Sequence, residues 1–241
     1  MLKKKYTHIF FDLDNTLWDF KQNSYYALHN AFIYFSLNKK GIEYNNFFEV
    51  YLKHNHQLWE EYRRQNAAKN ELKELRFQKT FAELNIGGIN AGAMNALYLD
   101  EMPKQTRLIN GAEEILQFFK KKGCALHIIT NGFKKVQHKK LKISGLEKYF
   151  TKVFISEDVK APKPDRKIFE YAVKSANAPK NKSLMVGDDF EIDVKGAINF
   201  GINAVFFNPG KNQWPHNNGK IIKKDENYWM IASLAELKNI V

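Results

Sequence analysis

Three short apolar runs that each end in a polar cluster constrain this chain more than any other feature. They are His8-Ile9-Phe10-Phe11-Asp12-Leu13-Asp14, Ala125-Leu126-His127-Ile128-Ile129-Thr130-Asn131 and Ser183-Leu184-Met185-Val186-Gly187-Asp188-Asp189. Each reads as a buried strand running into a functional loop, and shorter β-branched or aromatic runs at 152–156, 203–207 and 228–232 predict three more strands. Helical patterns lie between them. Residues 113–122 carry Ile115, Leu116, Phe118 and Phe119 on one side and stop at Gly123; residues 167–176 and 193–200 behave alike, the latter closed by Gly201. Such alternation from about residue 107 onward predicts an α/β fold, a doubly wound parallel sheet with helices on both faces. Ligands bind such sheets at the carboxyl ends of the strands, so the polar strand ends mark the expected site.

Residues 18–106 differ, with helical spacing throughout and no convincing strand. Four apolar stripes recur there: Ala27, Leu28, Ala31, Phe32 and Phe35; Phe47, Tyr51, Leu58, Trp59 and Tyr62; Leu72, Leu75, Phe77, Phe81 and Leu84; and Met94, Leu97 and Tyr98. The pattern predicts a four-helix cap over 18–106 inserted into a core made of 1–17 and 107–241. Gly87-Gly88 marks the turn before the fourth helix, and Pro103 lies near the return to the core.

At 241 residues, 44% of them hydrophobic, the chain can bury a core without a disulfide or structural metal. Cys124 is its only cysteine, which excludes an internal disulfide and a multi-cysteine zinc site and fits a reducing, cytoplasmic setting. No segment approaches the roughly 20 apolar residues that span a bilayer, so no membrane association is expected. Lys3, Lys4 and Lys5 precede an apolar run, but Asp12 and Asp14 interrupt it and no small-residue cleavage site follows, so it reads as a strand and not a signal peptide. The net charge of +12 could attract a polyanion, yet the lysines are scattered over amphipathic helices and read as solvated faces more readily than as a nucleic-acid surface.

Asp12 and Asp14 stand one residue apart at a strand end. In an extended chain their side chains share a face, and two like charges that close call for a cation. Downstream, in order, come Thr130-Asn131-Gly132, Lys163-Pro164-Asp165, and Gly187-Asp188 with Asp193 following. Three aspartates without a cysteine or histidine cluster suit Mg²⁺, with Mn²⁺ an alternative, since both take oxygen ligands. His8, His54, His56, His127 and His138 show no ligand spacing among themselves. Anionic phosphoesters repel a carboxylate nucleophile unless cations neutralise both. Thr130 and the loop amides of Asn131 and Gly132 can donate to phosphoryl oxygens, and Lys163 adds positive charge.

These motifs resemble those of the haloacid dehalogenase superfamily of aspartate-nucleophile hydrolases, and the match covers nearly the whole chain. The resemblance implies a Rossmann-like core with a helical cap of the C1 type, Asp12 as nucleophile, and Asp14 as general acid and then base. It also implies Mg²⁺ held by the Asp12 carboxylate, the backbone carbonyl at Asp14, and Asp188. Asp193 is expected to orient Lys163 or a metal-bound water. Lys160 competes with Lys163 for the cationic role and Asp189 with Asp188 for the metal; the family pattern favours the lysine before proline and the aspartate directly after glycine. Asp14 favours a phosphatase over a dehalogenase, since an alkoxide leaving group must be protonated.

Further stretches resemble the 5'-nucleotidase branch acting on pyrimidine and non-canonical nucleoside monophosphates: His56-Gln57-Leu58-Trp59, Leu75-Arg76-Phe77, Ile129 to Phe133, Ile155-Ser156-Glu157 and Leu184 to Asp188. That implies a small-molecule phosphomonoester substrate, with Trp18, Phe20, Asn55, Trp59, Arg76 and Phe133 as candidate substrate contacts. For the cap aromatics the competing reading is packing, and for Arg76 a surface charge. Arg76→Ala is expected to raise the KM for nucleotides several-fold in a folded protein. Alternatives are a sugar-phosphate or acylneuraminate-phosphate phosphatase of the same fold, or a non-catalytic protein that binds a phosphometabolite or nucleic acid.

Overall fold

The computed structural model describes residues 5–64, 69, 71–210, 222–225 and 227–241. It divides into two compact units, one of Met1–Phe20 with Arg107–Val241 and one of Lys21–Thr106. No helix among the described residues is long and apolar enough to cross a membrane.

The first unit is built on a seven-stranded sheet: β1 (His8–Phe11), β2 (Ala125–Thr130), β3 (Lys152–Ile155), β4 (Ser183–Gly187), β5 (Asn203–Phe207), β6 (Ile222–Asp225) and β7 (Tyr228–Ile231). Their order across the sheet is β3-β2-β1-β4-β5-β7-β6. All neighbours pair in parallel except β6, which runs antiparallel to β7. β6 is the strand that sequence patterning missed, because its Ile222-Lys223-Lys224-Asp225 carries no apolar run. The chain runs outward from β1 to β3, returns to β4 on β1's other side, and so opens a switch point between β1 and β4.

Among its described residues the second unit holds four α-helices, α1 (Phe20–Tyr34), α2 (Tyr44–Arg63), α3 (Glu71–Glu83) and α4 (Ala91–Glu101), the first beginning on the last residue of the sheet unit. Their apolar stripes meet in an interior of Phe32, Phe47, Tyr51, Phe77 and Tyr98. The boundary falls after Phe20 and not after Leu17. Trp18 bridges to Asp14 and Leu108, the Ile109 amide donates to the Leu17 carbonyl, and the Asp19 amide donates to the Arg107 carbonyl. These bonds stitch the outgoing and returning segments together within the sheet unit, so Trp18 and Phe20 belong there.

The sheet unit's helices are α5 (Ala112–Lys121), α6 (Lys134–Ile143), α7 (Ser156–Val159), α8 (Arg166–Ser175) and α9 (Gly196–Phe200). α5 shows how the sequence sets its ends: Glu113 and Glu114 occupy the first turn, Lys120 and Lys121 the last, and Gly123 follows at φ 68°. α9 is shorter than the predicted 193–200 helix, because Phe190–Lys195 forms a π-helical turn first. That turn carries Asp193. Strand residues alternate between the two layers: Phe10 joins Phe154, Phe169, Met185 and Ala197 on one face, while Phe11 meets Phe119 of α5 on the other. Burial of β1 and β4 on both sides is what a central parallel strand requires.

Candidate active site

Three strand ends converge at the carboxyl edge. The Asp12 amide donates to the Val186 carbonyl at 2.9 Å, so the β1–β4 ladder continues one residue past β1 and fixes Asp12 beside Gly187-Asp188. Beyond it the chain turns sharply. Leu17 and Trp18 amides both donate to the Leu13 carbonyl, and Asn15 takes the left-handed conformation at φ 61°, which asparagine tolerates better than most residues.

Lys163 lies at the centre. Its Nζ donates to Asp12 Oδ1 at 2.5 Å and Asp193 Oδ1 at 2.6 Å, and the side chain is 2% exposed. Burial works against its charge, but the two carboxylates outweigh that and hold the ammonium above its ordinary range. Lys160, its competitor in the sequence, instead ends α7 in a left-handed conformation. Asn131 positions Lys163 through the backbone: its side-chain oxygen accepts from the Lys163 amide at 2.8 Å and its amide nitrogen donates to the Lys163 carbonyl at 3.0 Å.

Asp12, Asp188 and Asp193 each offer a carboxylate oxygen, and these oxygens lie within 4.8 Å of one another. Burial pushes the Asp12 carboxyl up to about 7 against the pull of Lys163, with Asp193 and Asp14 adding to the rise. Burial, then Asp12 and Asp193, push Asp188 up to about 8 although the Thr16 hydroxyl donates to it at 3.1 Å. Asp193 is raised by burial as well, against the opposing pull of Lys163. With all three carboxylates ionised, Asp12 and Asp193 buried and Asp188 half-buried, the single ammonium of Lys163 leaves an excess of negative charge. An all-oxygen donor set with that excess fits a divalent, oxygen-seeking cation.

Asp189 does not join the cluster: its side chain accepts from the Glu191 and Ile192 amides and caps the π-helical turn. That cap presents Asp193, whose Oδ2 accepts from the Asp189 amide at 3.2 Å. Gly187 allows the approach, since a Cβ there would stand 2.3 Å from Asp193 Oδ2.

Asp14 has a separate cation. Lys140 Nζ donates to its Oδ1 at 2.6 Å and Gln137 Nε2 to its Oδ2 at 2.9 Å. Gln137 Nε2 also donates to Thr130 Oγ1 at 2.7 Å. The Gly132 amide donates to the same hydroxyl at 3.2 Å. Sequence reasoning missed Gln137 and Lys140. The signal was there, since both share the buried stripe of α6 with Val136 and Leu141, where apolar residues are the norm.

The expected substrate contacts separate. In the sheet unit, Trp18 is fully buried, with Lys140 Nζ 4.1 Å from its ring centroid and 5.4 Å from that of Phe20. Phe133, also buried, leads into α6. In the helical unit, Arg76 is 3% exposed, which corrects its reading as a surface charge. It donates to Asn55 Oδ1 at 3.1 Å and Asn95 Oδ1 at 2.7 Å, and its guanidinium lies 5.1 Å from the Tyr98 ring centroid. Trp59 packs edge-on against Tyr62.

A parallel sheet with an aspartate-rich switch point, buried lysines paired to its aspartates and an inserted helical unit defines a class of hydrolase. The family model for haloacid dehalogenase-like hydrolases matches residues 6–201, and the chain belongs to that family. It is an enzyme, a phosphatase of this family. It is 30% identical to pyrimidine 5'-nucleotidase YjjG of Escherichia coli over 98% of both chains. Pyrimidine 5'-nucleotidase PynA of Streptococcus pneumoniae is 31% identical over 85% of this chain and 84% of its own. Among solved structures, the HAD-hydrolase YfnB from Bacillus subtilis bound to magnesium superposes with a TM-score of 0.83 at 26% identity, covering 98% of this chain and 99% of that one.

Proposed function

We propose that the chain hydrolyses nucleoside 5'-monophosphates, pyrimidine nucleotides foremost, through an aspartyl-phosphate on Asp12. The observation that carries the chemistry is the Asp12–Lys163–Asp193 triad beside Thr130 and Asp14 at one sheet edge. The similarity to YjjG along nearly the full length of both chains supports the substrate class.

An Asp12 carboxylate oxygen attacks phosphorus in line with the ester oxygen, and the bond to that oxygen breaks as Asp14 protonates it. Deprotonated Asp14 then takes a proton from water, whose oxygen attacks phosphorus and releases phosphate from Asp12. Lys163 and the Thr130 hydroxyl stabilise charge on the phosphoryl oxygens. Asp12, Asp188 and the backbone carbonyl at Asp14 would hold Mg²⁺, or Mn²⁺ in its place, with Asp193 beside them. When bound, that ion supplies positive charge to the phosphoryl group. The reading includes a cytoplasmic setting, in which the buried Cys124 stays a thiol donating to the Tyr6 carbonyl.

The test is phosphate release with Mg²⁺ from pyrimidine and purine 5'-monophosphates, sugar phosphates and an acylneuraminate phosphate, with Asp12→Asn as the blank. Pyrimidine nucleotides should lead and the variant should be silent. Sugar phosphates in the lead would overturn the nucleotide assignment, and equal turnover by Asp12→Asn would overturn the covalent route.

A further inference from the structure

α6 contributes no residue to the four family motifs, yet it presents two buried polar side chains to the residues that do the chemistry. Gln137 is 1% exposed and Lys140 2% exposed, and they stand three residues apart, on one face of the helix. A carboxylate only accepts hydrogen bonds, so Asp14 fixes the orientation of the Gln137 amide with its nitrogen inward. That nitrogen has two hydrogens and both are used, one on Asp14 Oδ2 and one on Thr130 Oγ1.

The consequence falls on Thr130. A hydroxyl oxygen has two lone pairs and one proton. Gln137 and the Gly132 amide both donate to Thr130 Oγ1, which fills its accepting capacity and leaves the proton as its remaining function. A phosphoryl oxygen, a pure acceptor, is the partner such a proton suits. Gly132 makes room for this arrangement, because a Cβ there would lie 2.4 Å from Gln137 Cδ and Nε2. Lys140 completes the hold on Asp14 from Oδ1, its own ammonium braced over the Trp18 ring.

We propose that Gln137 and Lys140 are positioning residues for phosphoryl transfer: they fix the Asp14 carboxyl by both oxygens and leave the Thr130 hydroxyl as a donor to the phosphoryl group. This rests on the phosphatase reading above, in which Asp14 protonates the leaving oxygen.

The experiment uses the full chain with Mg²⁺ and compares kcat/KM for two substrates within one preparation, so that the active fraction cancels from the ratio. Uridine 5'-monophosphate expels a basic alkoxide that needs a proton, whereas dinitrophenyl phosphate expels a stable anion that does not. Lys140→Met is expected to lower kcat/KM for the nucleotide by about 10- to 100-fold and for the aryl ester by under about threefold, a part of the 10²–10⁴ that general acid catalysis supplies. Lys140→Arg should restore most of the ratio. In an Asp14→Asn background Lys140→Met should add little, as expected of a residue that acts through Asp14. Gln137→Met should slow both substrates about tenfold or more through Thr130, with a further loss on the nucleotide.

Equal loss on both substrates by Lys140→Met, or no loss by either variant, overturns the proposal. Should Lys140→Met not be recovered folded, Gln137→Met carries the test, with the exposed Lys135→Met as the control for the helix. A wild type that hydrolyses dinitrophenyl phosphate but not the nucleotide refutes only the nucleotide assignment, and phenyl phosphate then serves as the substrate with the basic leaving group. A wild type that hydrolyses none of them refutes the phosphatase reading itself.

Discussion

Acid should destabilise this protein at a pair of stacked imidazoles on neighbouring strands of the sheet. His8 on β1 and His127 on β2 lie ring on ring, centroids 5.5 Å apart, with His8 Nδ1 3.2 Å from His127 Nε2. Two neutral rings can share one hydrogen there. Protonation of His127 is disfavoured, because both its nitrogens become donors: Nε2 can give its hydrogen to a neutral His8 Nδ1, but Nδ1 is buried with no partner among the described residues. Burial, followed by His8 and Lys152, pushes the His127 pKa down to about 4 from its ordinary 6.5. The unfolded chain therefore binds the proton first. His127's contribution to stability is complete above pH 6.5, declines as pH falls below it, and is gone below about 4. Each tenfold difference in proton affinity is worth about 1.4 kcal/mol, so the full loss is roughly 3 kcal/mol, of which about 2 kcal/mol is lost by pH 5. Asp12 and Asp188, whose pKa values folding raises, titrate with the opposite sign. The measurement is thus a difference: urea unfolding of wild type and His127→Phe, each at pH 7.5 and pH 5. The wild type should lose about 2 kcal/mol more than the variant over that interval. Parallel behaviour of the two proteins would refute the argument.

Gly187→Ala should force the Asp193 carboxylate off Lys163, costing about 1–3 kcal/mol in overpacking and lowering kcat/KM tenfold or more. Wild-type kinetics from that variant would show that Asp193 does not orient Lys163. Arg76→Ala should destabilise the helical unit by about 3 kcal/mol, since it empties a space among Tyr51, Phe77 and Tyr98 and strips a donor from Asn55 and Asn95. A thermal melt unchanged from wild type would contradict this. Millimolar Mg²⁺ should raise the melting temperature by several degrees, and Asp188→Asn should abolish most of that rise if the aspartate cluster holds the ion. Magnesium-independent melting of the wild type would argue against a metal there.

The sequence by itself determined the elements that local chemistry controls. Apolar runs with polar ends declare strands that feed a site, and glycines after lysine-rich turns declare helix stops. Asp12, Thr130 and Asp188 were legible because each sits where a strand ends, so position along the chain already implies position at the sheet edge, whereas Lys163, beyond α7, was legible from its resemblance to the family's lysine before proline. β6 was not legible, since an outer antiparallel strand needs no apolar run, and neither was the π-helical turn that presents Asp193.

Only the tertiary structure decided the partnerships. Nothing in the spacing of residues 137 and 140 says that they reach Asp14, more than 120 positions earlier in the chain, and nothing near Arg76 announces a guanidinium buried among tyrosines. The physical reason is the same in each case. A polar side chain in an amphipathic helix reads as solvated until the packing of another element removes the water from it, and which element does so depends on strand order. Placing β2 beside β1 in parallel register is what brings the start of α6 to the end of β1, and with it a lysine and a glutamine to the carboxyl group they hold.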